Sequence, residues 1–307
     1  MTGRLAVQVA GLNFRNPVLL AAGTAAYGRE LVEVTRLDVL GGLVTKAVSL
    51  EPRAGAPAPR VADFGEGMIN AVGLANPGVD EVAATELPWL TRNAPDLRVI
   101  VNVVGNVVQD FAAVVERLEG VAGADAFELN VSCPNVRAGG LEFGASEESL
   151  REVVSGARGR TRRPLFVKLS PTLADIGRAA AVAVDAGADG ITVVNTFPGL
   201  VIDTAARRPA LGFGSGGVSG GGLRPVGVLA TWRVSRAVRV PILGVGGIET
   251  ADHALQYIMA GASLVAIGTA ALRDPRVPER VVRDLERWCE REGVTSVAQL
   301  TGSVAWQ

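Results

Sequence analysis

Short apolar runs alternate along this chain with longer segments of helical period. Runs rich in Val, Ile, Leu and Ala stand at 18–21, 43–46, 99–102, 126–130, 165–169, 190–195, 241–245 and 264–268. Between them, apolar residues recur every three to four positions at 79–92, 108–119, 146–160, 173–186 and 224–238, and again at 250–259 and 278–292. Strands that read as continuous apolar runs are buried on both faces, which is the condition of a parallel sheet covered by helices. Eight of them, each expected to lead into a helix, match a closed (β/α)8 barrel forming one domain over 1–307. An open, doubly wound sheet is the second arrangement that fits.

Two connections are too long for barrel turns, 47–78 and 196–223. Both follow strands at what would be the C-terminal mouth of the barrel, where such folds place their chemistry. Ahead of the first strand, LAVQVAGLNFRN (5–16) alternates around a turn and reads as a hairpin closing the barrel floor. The segment 278–292 reads as an amphipathic closing helix, with Trp288 and Cys289 against the barrel. GFGSGG (212–217) has the spacing of a dinucleotide fingerprint, but it follows no strand-like run and reads as a flexible loop.

Composition removes several classes of function. The formal charge of −1 gives no general attraction to nucleic acid or anionic lipid. No apolar stretch reaches the ~20 residues of a membrane span, and 1–14 has no signal-peptide pattern, so a cytoplasmic location is expected. Two cysteines, Cys133 and Cys289, cannot hold an iron–sulfur cluster, and the only histidine, His253, lies in the 250–259 segment. Neither a Ser-His-Asp hydrolase nor a multi-histidine metal site is expected. Glycine is the outlier, with 38 copies scattered without period, as tight turns and close backbone approaches to a ligand require.

Polar residues recur where the strands end: Lys46, Asn102, Asn130, Lys168, Asn195 and the pair Gly246-Gly247. Barrel strand ends converge on one pocket, and amides with ammonium groups suit a flat heterocycle of alternating C=O and N–H. GVGGIET (244–250) and IGTA (267–270) follow the seventh and eighth strands, where backbone N–H groups of barrels commonly hold a phosphate. Thr250 reads as a helix cap and Thr269 as an added hydroxyl donor. Cys133 stands just past a strand in the polar, glycine-rich loop NVSCPNVRAGGLEFG (130–144); a buried, inert cysteine is the ordinary reading, and a proton-transferring thiolate is the alternative that this setting admits.

These segments together carry a resemblance. ELNVSCPNVRAGGLEFG (128–144) resembles the catalytic loop of class 1 dihydroorotate dehydrogenases, which use Cys as base. EPRAGAPAPRV (51–61), GMINAVGLANPG (67–78), NTFPGLVID (195–203), LGVGGIET (243–250) and AIGTA (266–270) resemble the same family in the same order, from Leu12 to Val304. NAVGLANPG and the uninterrupted VRAGGLEFG are more similar to the 1B subclass. Its FMN-bearing catalytic chain, with a homodimer core, works with a separate FAD and iron–sulfur subunit that passes electrons to NAD.

The resemblance implies an oxidoreductase of pyrimidine biosynthesis that converts (S)-dihydroorotate to orotate. Cys133 would remove the C5 proton while hydride leaves C6 for the flavin. FMN would contact Ala22, Gly23, Lys46, Ala47, Asn102, Asn130, Lys168, Val194, Gly220, Gly246, Gly247, Gly268 and Thr269. Substrate would be held by Lys46, Asn70, Ala71, Val72, Gly73, Leu74, Asn130, Asn195 and Thr196. Lys168 would face the flavin N1/O2 edge, where negative charge develops.

Four residues depart from the family pattern: Ala26, Ala56, Phe213 and Gly221. They bear on the fit of the substrate loop, and so on which dihydropyrimidine is preferred. The rival readings are a dihydropyrimidine (dihydrouracil) dehydrogenase flavin unit, a fumarate-using class 1A enzyme, and a catalytically silent scaffold subunit.

Overall fold

Eight parallel strands close into a barrel in chain order: Val18–Leu20, Gly42–Val44, Arg98–Val103, Ala126–Asn130, Leu165–Leu169, Gly190–Val193, Ile242–Val245 and Leu264–Ile267. The last pairs with the first, with Ala266 opposite Leu19, so the open sheet is excluded. This computed structural model describes residues 3–132, 134–135 and 141–305, with backbone alone at 134, 135 and 141. Nearly every residue of these strands is buried, as sequence runs without polar alternation require.

Helices Val108–Leu118, Glu147–Arg158, Ile176–Asp185, Arg224–Ala237 and Ala251–Ala260 return the chain between strands, as does the helical stretch 79–93. The first connection differs from expectation. It holds only short 3-10 turns, Arg29–Leu31 and Leu37–Val39, in place of a helix. Val32, Val34 and Thr35 crowd that segment with β-branched side chains, which weaken helix formation.

The N-terminal hairpin pairs Val7–Val9 with Leu12–Phe14 around Ala10 and Gly11, both at positive φ, as a two-residue hairpin turn demands. It lies at the barrel floor. Arg98, opening the third strand, donates from Nε to Asn13 O at 3.0 Å, and Asn16 Oδ1 accepts from Val18 N and Gly41 N where the first two strands begin. The closing helix Val277–Arg291 buries Val281, Leu285 and Cys289, and Trp288 packs against the same core.

The two long connections are more ordered than their composition indicates. They supply a four-stranded antiparallel sheet in the order Phe197–Gly199, Gly216–Gly220, Gly67–Asn70, Val61–Asp63. The reading of 212–217 as a loop is corrected at its end: 212–215 form a turn, but Gly216 and Gly217 open one of the strands. Glycine there answers to contact rather than to mobility. A Cβ on Gly217 would stand 2.0 Å from Thr196 Oγ1, and one on Gly216 would stand 2.5 Å from Asn70 O.

Candidate functional site

The polar strand ends meet at the C-terminal mouth. Parallel register sets Lys168 beside Asn130 on one side and Thr192 on the other. Asn195, just past the sixth strand, donates from Nδ2 to Asn130 Oδ1 at 3.3 Å and accepts Thr196 N on its own Oδ1 at 2.8 Å. Lys46 follows the second strand and donates its backbone N–H to Ala26 O at 2.8 Å. Asn102 is buried at the end of the third strand, and Lys168 is 7% exposed. Of the 30 basic residues in the chain only Lys46 and Lys168 are lysines, and both stand at this mouth. Arginine serves every other cationic position. A compact ammonium is therefore kept where a broad, planar guanidinium would crowd a pocket. That contrast was available in the sequence.

Three backbone turns converge beside the lysines. Thr269 Oγ1 and Ser219 Oγ share a hydrogen bond of 2.7 Å, joining the start of the last connection to the capping sheet. Gly246 and Gly247 both have positive φ. A Cβ on Gly247 would lie 2.7 Å from Gly220 O and 2.9 Å from Arg224 N. Gly268 lies against Ala21 and Thr24, which flank Ala22 and Gly23 in the turn after the first strand. Tyr257, buried under this region, donates its hydroxyl to Gly246 O at 2.7 Å and so holds the seventh-strand turn from behind. These turns bring backbone against backbone with two hydroxyls beside them, and such a cradle of main chain without side chains is the condition for backbone contact with a phosphate.

Arg224 and His253 adjoin the same turns. His253 Nε2 meets an Arg224 Nη1, and its Nδ1 accepts Glu249 N at 3.3 Å. Burial and the neighbouring Arg224 push the His253 imidazole below the usual histidine range. The lone histidine is thus tied into the helix start, where Thr250 Oγ1 accepts its backbone N–H.

The capping sheet brings in the remaining predicted positions. Asn70 donates from Nδ2 to Gly217 O at 3.2 Å, which fixes its side chain between the two long connections. Ala71 N donates to Arg60 O, and Val72 O accepts Ala56 N. Gly73 and Leu74 both turn at positive φ. The turn is anchored by Asn76, whose Oδ1 accepts Ser49 N and Gly78 N while Nδ2 donates to Ser49 Oγ and Leu74 O. Ala56 packs against Gly73, where a Cβ would stand 2.4 Å from Ala56 N. Ala47 O accepts the Tyr27 hydroxyl at 3.2 Å, and Val194 N donates to Val245 O at 3.0 Å. Phe213 is exposed, and Gly221 opens a 3-10 turn after the Gly216–Gly220 strand.

Cys133 lies outside the described residues. Its flanks are described. Ser132 Oγ is buried and finds no hydrogen-bond partner among the described residues. Beyond it Pro134–Asn135 pairs with Leu141–Glu142 as a short antiparallel hairpin. Glu142 is half-buried near the Ser170 hydroxyl, 3.5 Å away, and burial pushes its carboxyl above the usual range. Cys289, by contrast, is a core residue.

Buried polar residues at and just below the mouth were missed in the sequence, among them Thr45, Glu128 and Thr192. Glu128 Oε1 accepts Asn102 Nδ2 at 2.6 Å, and its Oε2 accepts Thr192 Oγ1 at 2.7 Å. Thr45 Oγ1 accepts Asn102 N and donates to Lys46 O. The signal was the strand AFELN itself, in which Glu128 shares a face with Asn130. Among the described residues no group of His, Cys, Asp and Glu is placed to hold a metal ion, and no helix is long and apolar enough to cross a membrane.

A closed barrel with charged and amide groups gathered at one mouth defines a (β/α)8 enzyme. Comparison with known proteins narrows the class. A family model described as dihydroorotate dehydrogenase matches residues 4–288. The chain is 46% identical to the dihydroorotate dehydrogenase B (NAD(+)) catalytic subunit of Desulforudis audaxviator, over 99% of this chain and 98% of that one. It is 42% identical to the same-named subunit of Pelobacter propionicus and 40% identical to that of Geobacter sulfurreducens, each over 98% of both chains. The chain belongs to the dihydroorotate dehydrogenase family, a flavin-dependent family of oxidoreductases. Within it, the similarity falls on class 1B, as the loop motifs indicate.

Proposed function

We propose that this chain is an FMN-bearing catalytic subunit that oxidises (S)-dihydroorotate to orotate and works with a partner subunit that delivers the electrons to NAD. The observation that carries the reading is the mouth itself: the chain's only two lysines and the pair Asn130–Asn195 stand at the same strand ends as the glycine turns. Full-length similarity to NAD(+)-linked catalytic subunits supports the partner.

The donor set fits a mononucleotide. Backbone at Gly246, Gly247, Gly268 and Thr269 would hold its phosphate, with the Gly220 backbone opposite. Ala22, Gly23, Ala47, Asn102, Asn130, Lys168 and Val194 would line its ring. Bound FMN would supply the acceptor for the hydride leaving C6. Lys46 would reach both the ring and the substrate carboxylate. Asn70, Asn130, Asn195 and Thr196 would orient the pyrimidine carbonyl and N–H groups, under the turn from Ala71 through Val72 and Gly73 to Leu74. Cys133 would take the C5 proton, a positioned base being worth about 10²–10⁴-fold in rate.

The reading is tested by releasing the chromophore with heat and identifying it by chromatography, and by assaying the purified chain with NAD. FMN in the supernatant, with NAD reduction only after an FAD and iron–sulfur subunit is added, is the expected result. FAD, or no flavin from folded protein, contradicts the cofactor. NAD reduction by the chain alone contradicts the partner, and brisk fumarate reduction moves the chain to the other subclass.

A further inference from the structure

Glu128 is 1% exposed within the fourth strand, and nothing in the proposed reaction uses it. Each of its oxygens accepts one hydrogen bond, from Asn102 on the neighbouring third strand and from Thr192 on the sixth. The carboxyl group therefore reaches across the barrel interior, one layer inside the Asn130–Lys168 pair. Neither Asn102 nor Thr192 is a cation. Burying a polar carboxyl group costs free energy that an apolar side chain in its place would not. Stability alone does not account for it.

What the group does accomplish is to break the symmetry of an amide. An Asn side chain has a donating and an accepting end, and an acceptor beside it decides which end turns where. Glu128 draws the Asn102 NH2, while Thr45 Oγ1 accepts the Asn102 backbone N–H at 3.1 Å. The Asn102 carboxamide oxygen is left for a ligand. We propose that Glu128 is a positioning residue that fixes the Asn102 carboxamide so that it presents an acceptor to the flavin ring. The proposal rests on the flavin reading above. Oxidised isoalloxazine carries a single N–H, so a fixed acceptor selects the ring edge that bears it.

The test compares FMN dissociation constants of the purified holoproteins after reversible removal of flavin, together with their visible spectra. Glu128→Leu, which has no acceptor, should bind FMN about tenfold more weakly, the worth of one hydrogen bond lost, and should shift the flavin absorption bands. Asn102→Ala should do the same, and adding Glu128→Leu to it should cost nothing more, because the first acts through the second. Glu128→Gln should bind nearly as the parent does, since its carbonyl still accepts from Asn102. Parent-like binding by Glu128→Leu, or losses that multiply in the double variant, overturns the proposal. Should the Leu variant fail to fold, the exchange decides. Asn102→Asp alone should bind weakly, and Asn102→Asp with Glu128→Gln should regain affinity because the new amide donates to the new carboxylate. No regain overturns it. A parent protein without flavin would instead defeat the underlying reading, whatever the variants do.

Discussion

Asn195 donates to Asn130 across 3.3 Å, and this contact joins the end of the sixth strand to the end of the fourth over the fifth. The two amides thus face the mouth as a unit, with Lys168 beside Asn130. Asn195→Ala should raise KM for dihydroorotate by about tenfold, the worth of one lost hydrogen bond, and should leave the flavin content of the purified protein unchanged. Steady-state kinetics and the visible spectrum read both. Loss of flavin with an unchanged KM would assign Asn195 to the cofactor instead.

Lys168 is the more buried of the two lysines, and its charge would stand where negative charge develops. Removing one such group typically costs about 10²–10³-fold in rate. Lys168→Ala should slow flavin reduction by that order. Lys168→Arg should not restore it, because the guanidinium is planar and wider than the space a point charge occupies. Stopped-flow reduction decides, and a fast Arg variant would show that charge alone suffices.

Gly247 has φ +64 and no room for a Cβ. Gly247→Ala should therefore expel the flavin while far-ultraviolet circular dichroism shows an intact barrel. Gly65 also has positive φ, at +88, but nothing lies within 4 Å of its Cβ position. Gly65→Ala should cost about 1–2 kcal/mol of stability, the strain of a Cβ at positive φ, and keep the flavin. Equal flavin contents in the two variants would remove the cradle from the phosphate site.

The barrel was legible because its strands are uninterrupted apolar runs, and a parallel strand buried on both faces leaves that trace. All eight were found within about two residues, the usual uncertainty of strand ends. The capping sheet was not legible. Its strand at Gly216–Gly220 is glycine-rich and that at Gly67–Asn70 is short, and what holds them is each other's backbone, a pairing 147 residues apart between Asn70 and Gly217. The mouth was read through its asparagines and lysines, which stand out at strand ends. Glu128 and Thr192 were passed over because they sit inside strands, where a polar residue has meaning only once its partner across the barrel is known. Asn76 was passed over for a related reason: its work is to satisfy the loop's own backbone.

Glu142 gives a pH-dependent prediction. Burial raises its carboxyl above the usual range, against a smaller opposing effect of the Ser170 hydroxyl. A carboxyl with a higher pKa folded than unfolded adds stability below its unfolded value, about 4.3, and loses it as pH rises through the folded value. Glu142→Gln cannot ionise. It should melt above the parent at pH 7 and lose that advantage at pH 4. Thermal melts at the two pH values check this, and an equal advantage at both would mean that ionisation of Glu142 plays no part.

In the proposed reaction this mouth oxidises dihydroorotate through Cys133 and a bound flavin. Anaerobic mixing of the purified yellow protein with dihydroorotate tests it most directly, following the flavin band in the parent and in Cys133→Ala. Rapid bleaching is expected in the parent and bleaching slowed by about 10²–10⁴-fold in the variant, with flavin still bound. Dihydroorotate that leaves the parent yellow, or a Cys133→Ala variant that bleaches as fast, would contradict it.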